Sequence, residues 1–552
     1  MQVSDKSAVR SDSAGTNKIQ RESYPNTLRS RRFITVAIVL GLVCICLFFA
    51  VAQRRSKALQ TRERRIGSSS TVQLKAGDNL QAAIENAHYG DVIVLEAGAT
   101  FQGPIVLPFK ESPTGNDQYI TITTSNTGGI PAENQRVNPQ THAKAMPKIV
   151  APDSSVAIAT AEQAHHYKFI GIEFSPAASS KYLYNLIDLG KTDYTSLSQF
   201  PHHLVFDRCY IHSTGLNTAR RGVAVNSGDT TIINSYISGF AGAGDETQGI
   251  CGWNGPGPFK IINNYIEGGA QNIMFGGADP SVPNLVPTNI EIRRNFLYKP
   301  VDWFGHATIK AGIELKNARR VVIDGNVIEF GGLVGAFVLT VRNQNGSAPW
   351  STLEDINVTN NIVRHSNTGV SILGRDDAHP SQQAKGIRIA NNLMVDIVPD
   401  YDAKFLFGCC ADTLTVENNT VQQTGNIMTC YAIPNSNFVF RNNIIQFNSY
   451  GFNCPPNMLS PNSRGNVIAD NAGTIAGNGY PANIPKGNLI VNSYDQVGFV
   501  DFANGDWRLA AQSMARKKGI DGKDPGVDFN ALAAAVSPSD VEPPYFGKRR
   551  TK

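Results

Sequence analysis

An asparagine followed by two apolar or β-branched residues returns along most of this chain. The segments are INNYI at Asn264, RRNFL at Asn295, DGNVI at Asn326, TNNIV at Asn361, ANNLM at Asn392, ENNTV at Asn419, RNNII at Asn443 and RGNVI at Asn466. Two earlier segments, DRCYI at Cys209 and NSYI at Ser235, keep the pattern with another residue in the Asn position. The intervals run from 23 to 35 residues, a period that belongs to solenoids. The unit is too short and too rich in β-branched residues for paired helices, and reads as strand, polar turn, strand, loop. In a stack of parallel coils, an inward residue at each corner with left-handed backbone suits Asn. Its amide reaches the Asn of the next coil at strand spacing, ~4.8 Å. The expectation is an all-β chain held by a buried asparagine ladder, each ladder Asn itself left-handed.

Phe33 to Ala52 is an unbroken apolar run of twenty residues, long enough to span a bilayer. Arg29, Arg31 and Arg32 precede it, which favours a cytoplasmic N-terminus. The run exceeds the usual length of a signal core, so an uncleaved anchor through residues 33–52 is favoured over cleavage after Ala52. Either way the body is expected on the extracytoplasmic side, periplasmic or extracellular, anchored or secreted. Five segments follow: a basic tail (1–32), the anchor or signal (33–52), a basic linker (53–71), the repeat body (72–510), and a closing cap with a flexible tail (511–552).

The formal charge of +5 hides an uneven spread: residues 1–52 carry +4 and 53–71 carry +5, leaving −4 for the body, although its last five residues, KRRTK, are strongly basic. An acidic body argues against nucleic acid as a partner, and the flanking arginines suit lipid headgroups. Of eight cysteines, six lie in the body, where an exported protein keeps disulfides. Cys430 and Cys454 occupy matching places one coil apart and are expected to stack, bonded or as small apolar side chains. No C-x-x-C or His-rich spacing suggests zinc.

Asp78-Asn79-Leu80-Gln81 reads as a capping box opening a short amphipathic helix through Leu80 and Ile84, followed by a Gly90-Asp91 turn and a strand at Val92–Leu95. Tyr119–Thr123 and Tyr167–Phe174 read as further strands, with 125–147 as an inserted loop. The run GDNLQAAIENAHYGDVIVLEAGATF resembles the N-terminal cap and first coil of right-handed parallel β-helix proteins of the pectin-lyase-like superfamily. The resemblance covers most of 72–510. It implies a right-handed parallel β-helix whose capping helix covers the open end of the stack, where edge strands would otherwise be exposed. Asp521, Asp524 and Asp528, near the end, read as parts of a turn-rich C-cap rather than calcium ligands.

The strands after each Asn turn align as NIMFG, GIELK, VLTVR, VSILG and KFLFG. With Ile313, Leu315, Leu339 and Val341 inside, Glu314, Lys316, Thr340 and Arg342 face outward. The alignment puts Lys316 beneath Arg342, with Asn317 beside Asn343. Two cations at strand spacing repel by roughly 1 kcal/mol even when exposed, and an anionic ligand supplies a reason for them. The longest insertions flank this pair. One carries Trp303 and His306; the other carries Gln344 and Trp350, and Arg375 with Asp376-Asp377 follows one coil later. Aromatic rings on loops beside a polar sheet suit the faces of sugars. Asp245-Glu246 is the weaker candidate for a hydrolytic carboxylate pair.

The stretch IELKNARRVVIDGNVIEFGGLVGAFVLTVRNQNG also looks like the core of the alginate lyase and chondroitinase B family of polysaccharide lyases. That resemblance implies β-elimination at a uronic acid, with Lys316 as base and Arg342 as acid near the leaving oxygen. It implies a calcium ion as well, held by acidic residues shortly before the Lys. The corresponding residues here are Ile309 and Ala311, with only Glu314 near. The expected partner is a polysaccharide, the expected state a monomer. The alternative from the same face is a non-catalytic, glycan-binding surface protein of the cell envelope.

Overall fold

The computed structural model of the protein describes residues 69–111, 118–398, 404–431, 433–448, 450–455, 459, 463–469 and 484–537. The basic tail, the apolar run 33–52 and most of the basic linker lie outside the described residues, as does the tail after Ser537. Among the described residues no helix is long and apolar enough to cross a membrane.

The chain winds through three long parallel sheets, here A, B and C, of 13, 14 and 12 strands. From Val92 to Asn453 each coil gives one strand to A, then B, then C, as with His165–Ile170, Glu173–Pro176 and Leu183–Leu189. Alternation decides which side chains turn inward. One column of sheet A runs in register from Ile93 and Ile122 through Phe169, Phe206, Ile261 and Ile323 to Phe440, all buried. Stacking like on like, as with the Phe169 and Phe206 rings at 5.1 Å, lets β-branched and aromatic residues fill a coil cross-section that repeats.

The asparagine ladder stands at the corner between A and B, fully hydrogen-bonded. Asn326 Oδ1 accepts from Asn295 N at 3.0 Å and Asn295 Nδ2 at 2.9 Å. Asn326 Nδ2 donates to Ile292 O at 2.9 Å and Asn361 Oδ1 at 3.0 Å. The same pattern repeats to Asn466, and one rung beyond the sequence reading, to Asn488. Ser235 and Cys209 join the lower end through Ser235 N to Asn264 Oδ1 and Cys209 N to Ser235 Oγ. One expectation is corrected. The left-handed backbone belongs to the residue before each ladder Asn, among them Asn263, Arg294, Gly325, Asn360 and Asn391. The corner therefore takes two residues, one to reverse the chain and one to bond inward.

Helix α1, Leu80–Asn86, lies over the N-terminal end with Leu80 and Ile84 buried. Its N-cap is Asn79, whose side chain accepts from Ala82 N at 2.9 Å. The capping box is not formed, because Gln81 is used elsewhere. Its amide donates to Val106 O at 3.0 Å and accepts from Val106 N at 2.8 Å. A side chain thus mimics a neighbouring strand for the edge strand Ile105–Leu107, the first of sheet C. That is how the open edge is closed. The 125–147 insertion is not a plain loop: it holds short helical turns at 127–129, 139–142 and 143–145.

The closing segment does more than end the stack. From Ile520 it turns back along the A–B corner: Ile520 N donates to Asn442 Oδ1, Val527 N to Thr420 Oγ1 and Asp528 N to Asn391 Oδ1. Asp528 caps the helix α2, Phe529–Ala535. Leu532 and Val536 of this strap bury against the cluster of Val327, Ile362 and Leu393 outside sheet B. Asp521 and Asp524 accept backbone N–H bonds within the turn.

Cys430 and Cys454 form a disulfide between neighbouring coils, with Cα atoms 4.8 Å apart, and Cys409 bonds to its neighbour Cys410. Cys209 and Cys251 are free and buried. Since 24 residues separate Cys430 from Cys454, Cys454→Ser is expected to cost about 3 kcal/mol in the chain-entropy account. Equilibrium urea denaturation of the oxidised protein reads the difference directly.

Candidate functional site

Sheet C lies between two rows of loops. Those entering it include 241–247 and 299–310; those leaving it include 276–287 and 341–352. Beneath them a chain of polar side chains crosses five strands. Asn185 Nδ2 donates to Asp188 Oδ1 at 3.1 Å, and Arg221 donates to Asn185 Oδ1 at 3.3 Å and Gln248 Oε1 at 2.9 Å. Gln248 Nε2 donates to Gln271 Oε1 at 2.8 Å, and Gln271 Nε2 to Glu314 Oε2 at 2.5 Å. The chain ends where Lys316 Nζ lies 3.6 Å from Glu314 Oε1. Each group is satisfied by the next, so the row is a fixed, oriented polar network.

Beside its Lys316 end opens a cavity of about 310 Å³ lined by Arg221, Trp253, Met274, Gly276, Asp279 and Ser281. Arg221 sits over the Trp253 ring at 5.0 Å. Gly276 has φ +110°, and a Cβ there would stand 2.5 Å from Lys316 Cβ. The cavity wall and Lys316 can approach this closely only because residue 276 is glycine.

The sequence reading placed the outward residues correctly and their rung incorrectly. Ile313, Leu315, Leu339 and Val341 are buried in the core. Strand register, however, pairs Ile313 with Phe337 and Leu315 with Leu339, which sets Lys316 level with Thr340. Arg342 is two residues further along, and its N–H donates to Lys316 O at 2.9 Å. Lys316 is therefore not beneath Arg342. Arg342 carries its own counter-charges: its Nη1 is 3.2 Å from Asp376 Oδ1 and in contact with Asp377 Oδ1. Burial opposes ionisation of Asp376. Backbone N–H groups of Ala378, Asn343 and His379, with the Arg342 guanidinium, still hold its carboxyl below the usual range.

Several proposed sugar contacts have structural partners. Trp303 is buried against Ala241 and Ile309 rather than exposed. Trp350 is half-buried with its indole N–H on Leu285 O at 3.0 Å. Asn317 and Asn343 are buried corner residues: Asn317 accepts from Thr352 N and Asn343 from Ala348 N. Gln344 and His306 are exposed on the two loop rows, and exposed Arg375 donates to Gln383 Oε1 at 2.9 Å. Asp245 pairs with Arg220 at 3.2 Å and Glu246 with Lys310 at 2.7 Å. Burial notwithstanding, Lys310 keeps the Glu246 carboxyl below its ordinary value, so Glu246 is not a raised-pKa acid for hydrolysis. Arg221 and Trp253 were missed. Their signal, an Arg on one sheet C strand and a Trp just past the next, is visible only once register is known.

The donors around Lys316 do not form a calcium cradle. Glu314 is shared between Gln271 and Lys316, and Glu246 is taken by Lys310. Among the described residues, the one group of three or more metal-ligating side chains lies on sheet A instead.

At the far end of the polar row, burial pushes the Asp188 carboxyl up to about 6, against the Asn185 hydrogen bond and the Arg221 and Lys191 charges. A carboxyl raised in the fold stabilises it below its unfolded value, about 4, and that contribution is lost as pH rises through about 6. Asp188→Asn is therefore expected to raise stability at pH 7.5 by on the order of 1 kcal/mol and to leave it unchanged at pH 4. Thermal unfolding at the two pH values checks this, and an equal effect at both would refute it.

No protein-family model matches the chain, and no curated protein matches it. Solved structures do. The alginate lyase AlyGC of family PL6, solved as a mutant, is 12% identical with a TM-score of 0.50, over 87% of this chain and 60% of its own. The mannuronan C-5 epimerase A-module of Azotobacter vinelandii is 11% identical with a TM-score of 0.45, over 71% and 94%. The polysaccharide lyase Pedsa3628 of Pseudopedobacter saltans, also PL6, is 13% identical with a TM-score of 0.42, over 83% and 99%. Likeness at this level of identity is likeness of fold, and with three continuous parallel sheets and an internal ladder the chain is a right-handed parallel β-helix.

Proposed function

We propose that the protein acts on polysaccharide on the extracytoplasmic side of a membrane, most specifically as a lyase on glycans containing uronic acid. The observation that carries this reading is the cavity walled off from Lys316 by Gly276, where Arg221, a member of the ordered polar row that ends at Lys316, lies over the Trp253 indole face. A sugar ring fits the Trp253 face, and its carboxylate suits Arg221, whose planar donors match carboxylate geometry. In its neutral form Lys316 would take the C5 proton next to the uronate carboxylate. The electrons left behind form the C4–C5 double bond as the C4–O bond breaks, and the departing oxygen takes a proton from water. Arg342, neutralised by two carboxylates, serves this scheme by holding the 375–383 loop rather than as acid.

A specific observation favours the second reading, a non-catalytic glycan-binding surface protein. Lys316 is only 9% exposed and its Nζ lies 3.6 Å from Glu314 Oε1, so little of the amine is open to a substrate. The test is incubation with alginate, pectate and glycosaminoglycans, following the ultraviolet absorbance of the unsaturated product. A rising absorbance with one polymer is the expected result. Retention on the same polymer with no absorbance change would replace the lyase by the binder, and neither product nor retention would remove both.

A further inference from the structure

Four histidines open two adjacent strands of sheet A, three and four residues before Phe169 and Phe206 of the core column. They come as two dipeptides, His165-His166 and His202-His203, in register on adjacent strands. In a regular strand consecutive side chains point to opposite faces. Here the second residue of each pair is left-handed, His166 at φ 59° and His203 at φ 53°, and both rings of each pair lie on one side. The left-handed position is a column of the fold itself. It continues in register through Asp229, and coils further on it holds Asn289, Asp355 and Asn437. What is particular to these two rungs is the residue type.

The rings pack tightly. His165 stacks on His202 at 4.9 Å and His166 on His203 at 4.4 Å. His202 Nδ1 lies 2.5 Å from His203 Nδ1, and one ligand atom each from His166, His202 and His203 falls within 4.8 Å of the others. Next in the left-handed column, the Asp229 carboxylate is 3.2 Å from His203 Nε2. That contact assigns the proton of His203 to Nε2 and leaves the lone pair on Nδ1, facing the other rings. A carboxylate behind a ligand imidazole is the usual support of a metal-bound histidine.

We propose that His166, His202 and His203 bind a divalent transition-metal ion of the zinc class, with Asp229 orienting His203. Three imidazoles with a fourth position left to water match the tetrahedral preference of zinc. Nitrogens around such an ion stand roughly 3.3 Å apart, given Zn–N bonds of about 2.0–2.1 Å. The widest separation here needs to close by only about 1.5 Å, within reach of ring rotation. The metal takes the place of the His202–His203 ring contact. Imidazole donors without carboxylate ligands select against calcium and magnesium, so this site is distinct in chemistry as well as place from any calcium at Lys316. The sequence reading saw no zinc spacing because the two pairs are 37 residues apart, and only coil register joins them.

The experiment uses untagged protein stripped with chelator, titrated with Zn²⁺ by calorimetry and with Co²⁺ by visible absorption. The expected result is one equivalent of Zn²⁺ and a Co²⁺ spectrum of low coordination number, displaced by Zn²⁺. His203→Asn is the informative variant, since Asn289 and Asn437 hold the same left-handed position in other coils, and circular dichroism verifies its fold. It is expected to weaken Zn²⁺ binding by roughly 100-fold and Asp229→Asn by roughly 10-fold. Absence of saturable Zn²⁺ binding by the native protein overturns the proposal, as does a folded His203→Asn protein that binds Zn²⁺ unchanged.

Discussion

Lys316→Ala is expected to reduce formation of unsaturated product by at least about 100-fold on whichever uronate polymer the native protein cleaves, the scale of a lost general base. Because Lys316 is nearly buried and pairs with Glu314, the alanine also strands a carboxylate. Lys316→Gln separates the two effects: its amide can still donate to Glu314 while having no basic nitrogen. Both variants inactive, with the glutamine form as stable as the native protein, is the outcome that supports a base. Arg342→Ala provides the contrast. Asp376, 1% exposed at its side chain, would lose its counter-charge, at a cost of about 1–3 kcal/mol, since its backbone N–H bonds remain. The 375–383 loop would loosen with it. If Arg342→Lys abolished turnover while leaving stability and the loop untouched, Arg342 would be acting on substrate, and its assignment as a loop anchor would fall.

Asn326→Ala, at a wholly buried rung of the ladder, is expected to destabilise the protein by about 3–5 kcal/mol, since buried groups left without partners cost about 1–3 kcal/mol each. The alanine deprives Asn295 N of its acceptor and Ile292 O of a side-chain donor, and the site is wholly buried. Asn488→Ala, at a half-buried rung, should cost closer to 1 kcal/mol. Urea unfolding followed by far-ultraviolet circular dichroism measures both. Equal, small shifts at the two rungs would mean that the amides pair with water as well as with each other, and that the ladder is not what holds the coil corner.

The ladder was legible because its chemistry leaves little choice: an inward polar residue at every corner must satisfy its neighbours, and Asn does so with both a donor and an acceptor. Even the error about backbone conformation was recoverable from the letters. Where two asparagines stand together, as in INNYI, TNNIV and ANNLM, the first reverses the chain and the second bonds inward. The rung of Lys316 was not legible. Sliding one strand by two residues preserves every inside-outside assignment, so the hydrophobic pattern that fixes face is silent about rung. Only hydrogen bonds such as those pairing Ile313 with Phe337 decide it. Trp303 misled for a related reason: an indole on a long loop serves equally to anchor that loop, and burial against Ala241 depends on a coil far away in sequence.

The strap from Ile520 to Val536 changes how such a stack must come apart. In a solenoid each coil touches only its neighbours, so stability is a nearest-neighbour sum and unravelling starts at an end. Here one segment bonds to Asn442, Thr420 and Asn391 and packs on Val327, so the last coils and the middle of the stack share a fastener. A pull on the final coils is carried through that splint to the coil of Val327. The C-terminal half then behaves less like a row of dominoes than like a laced seam, which opens as a whole or stays shut.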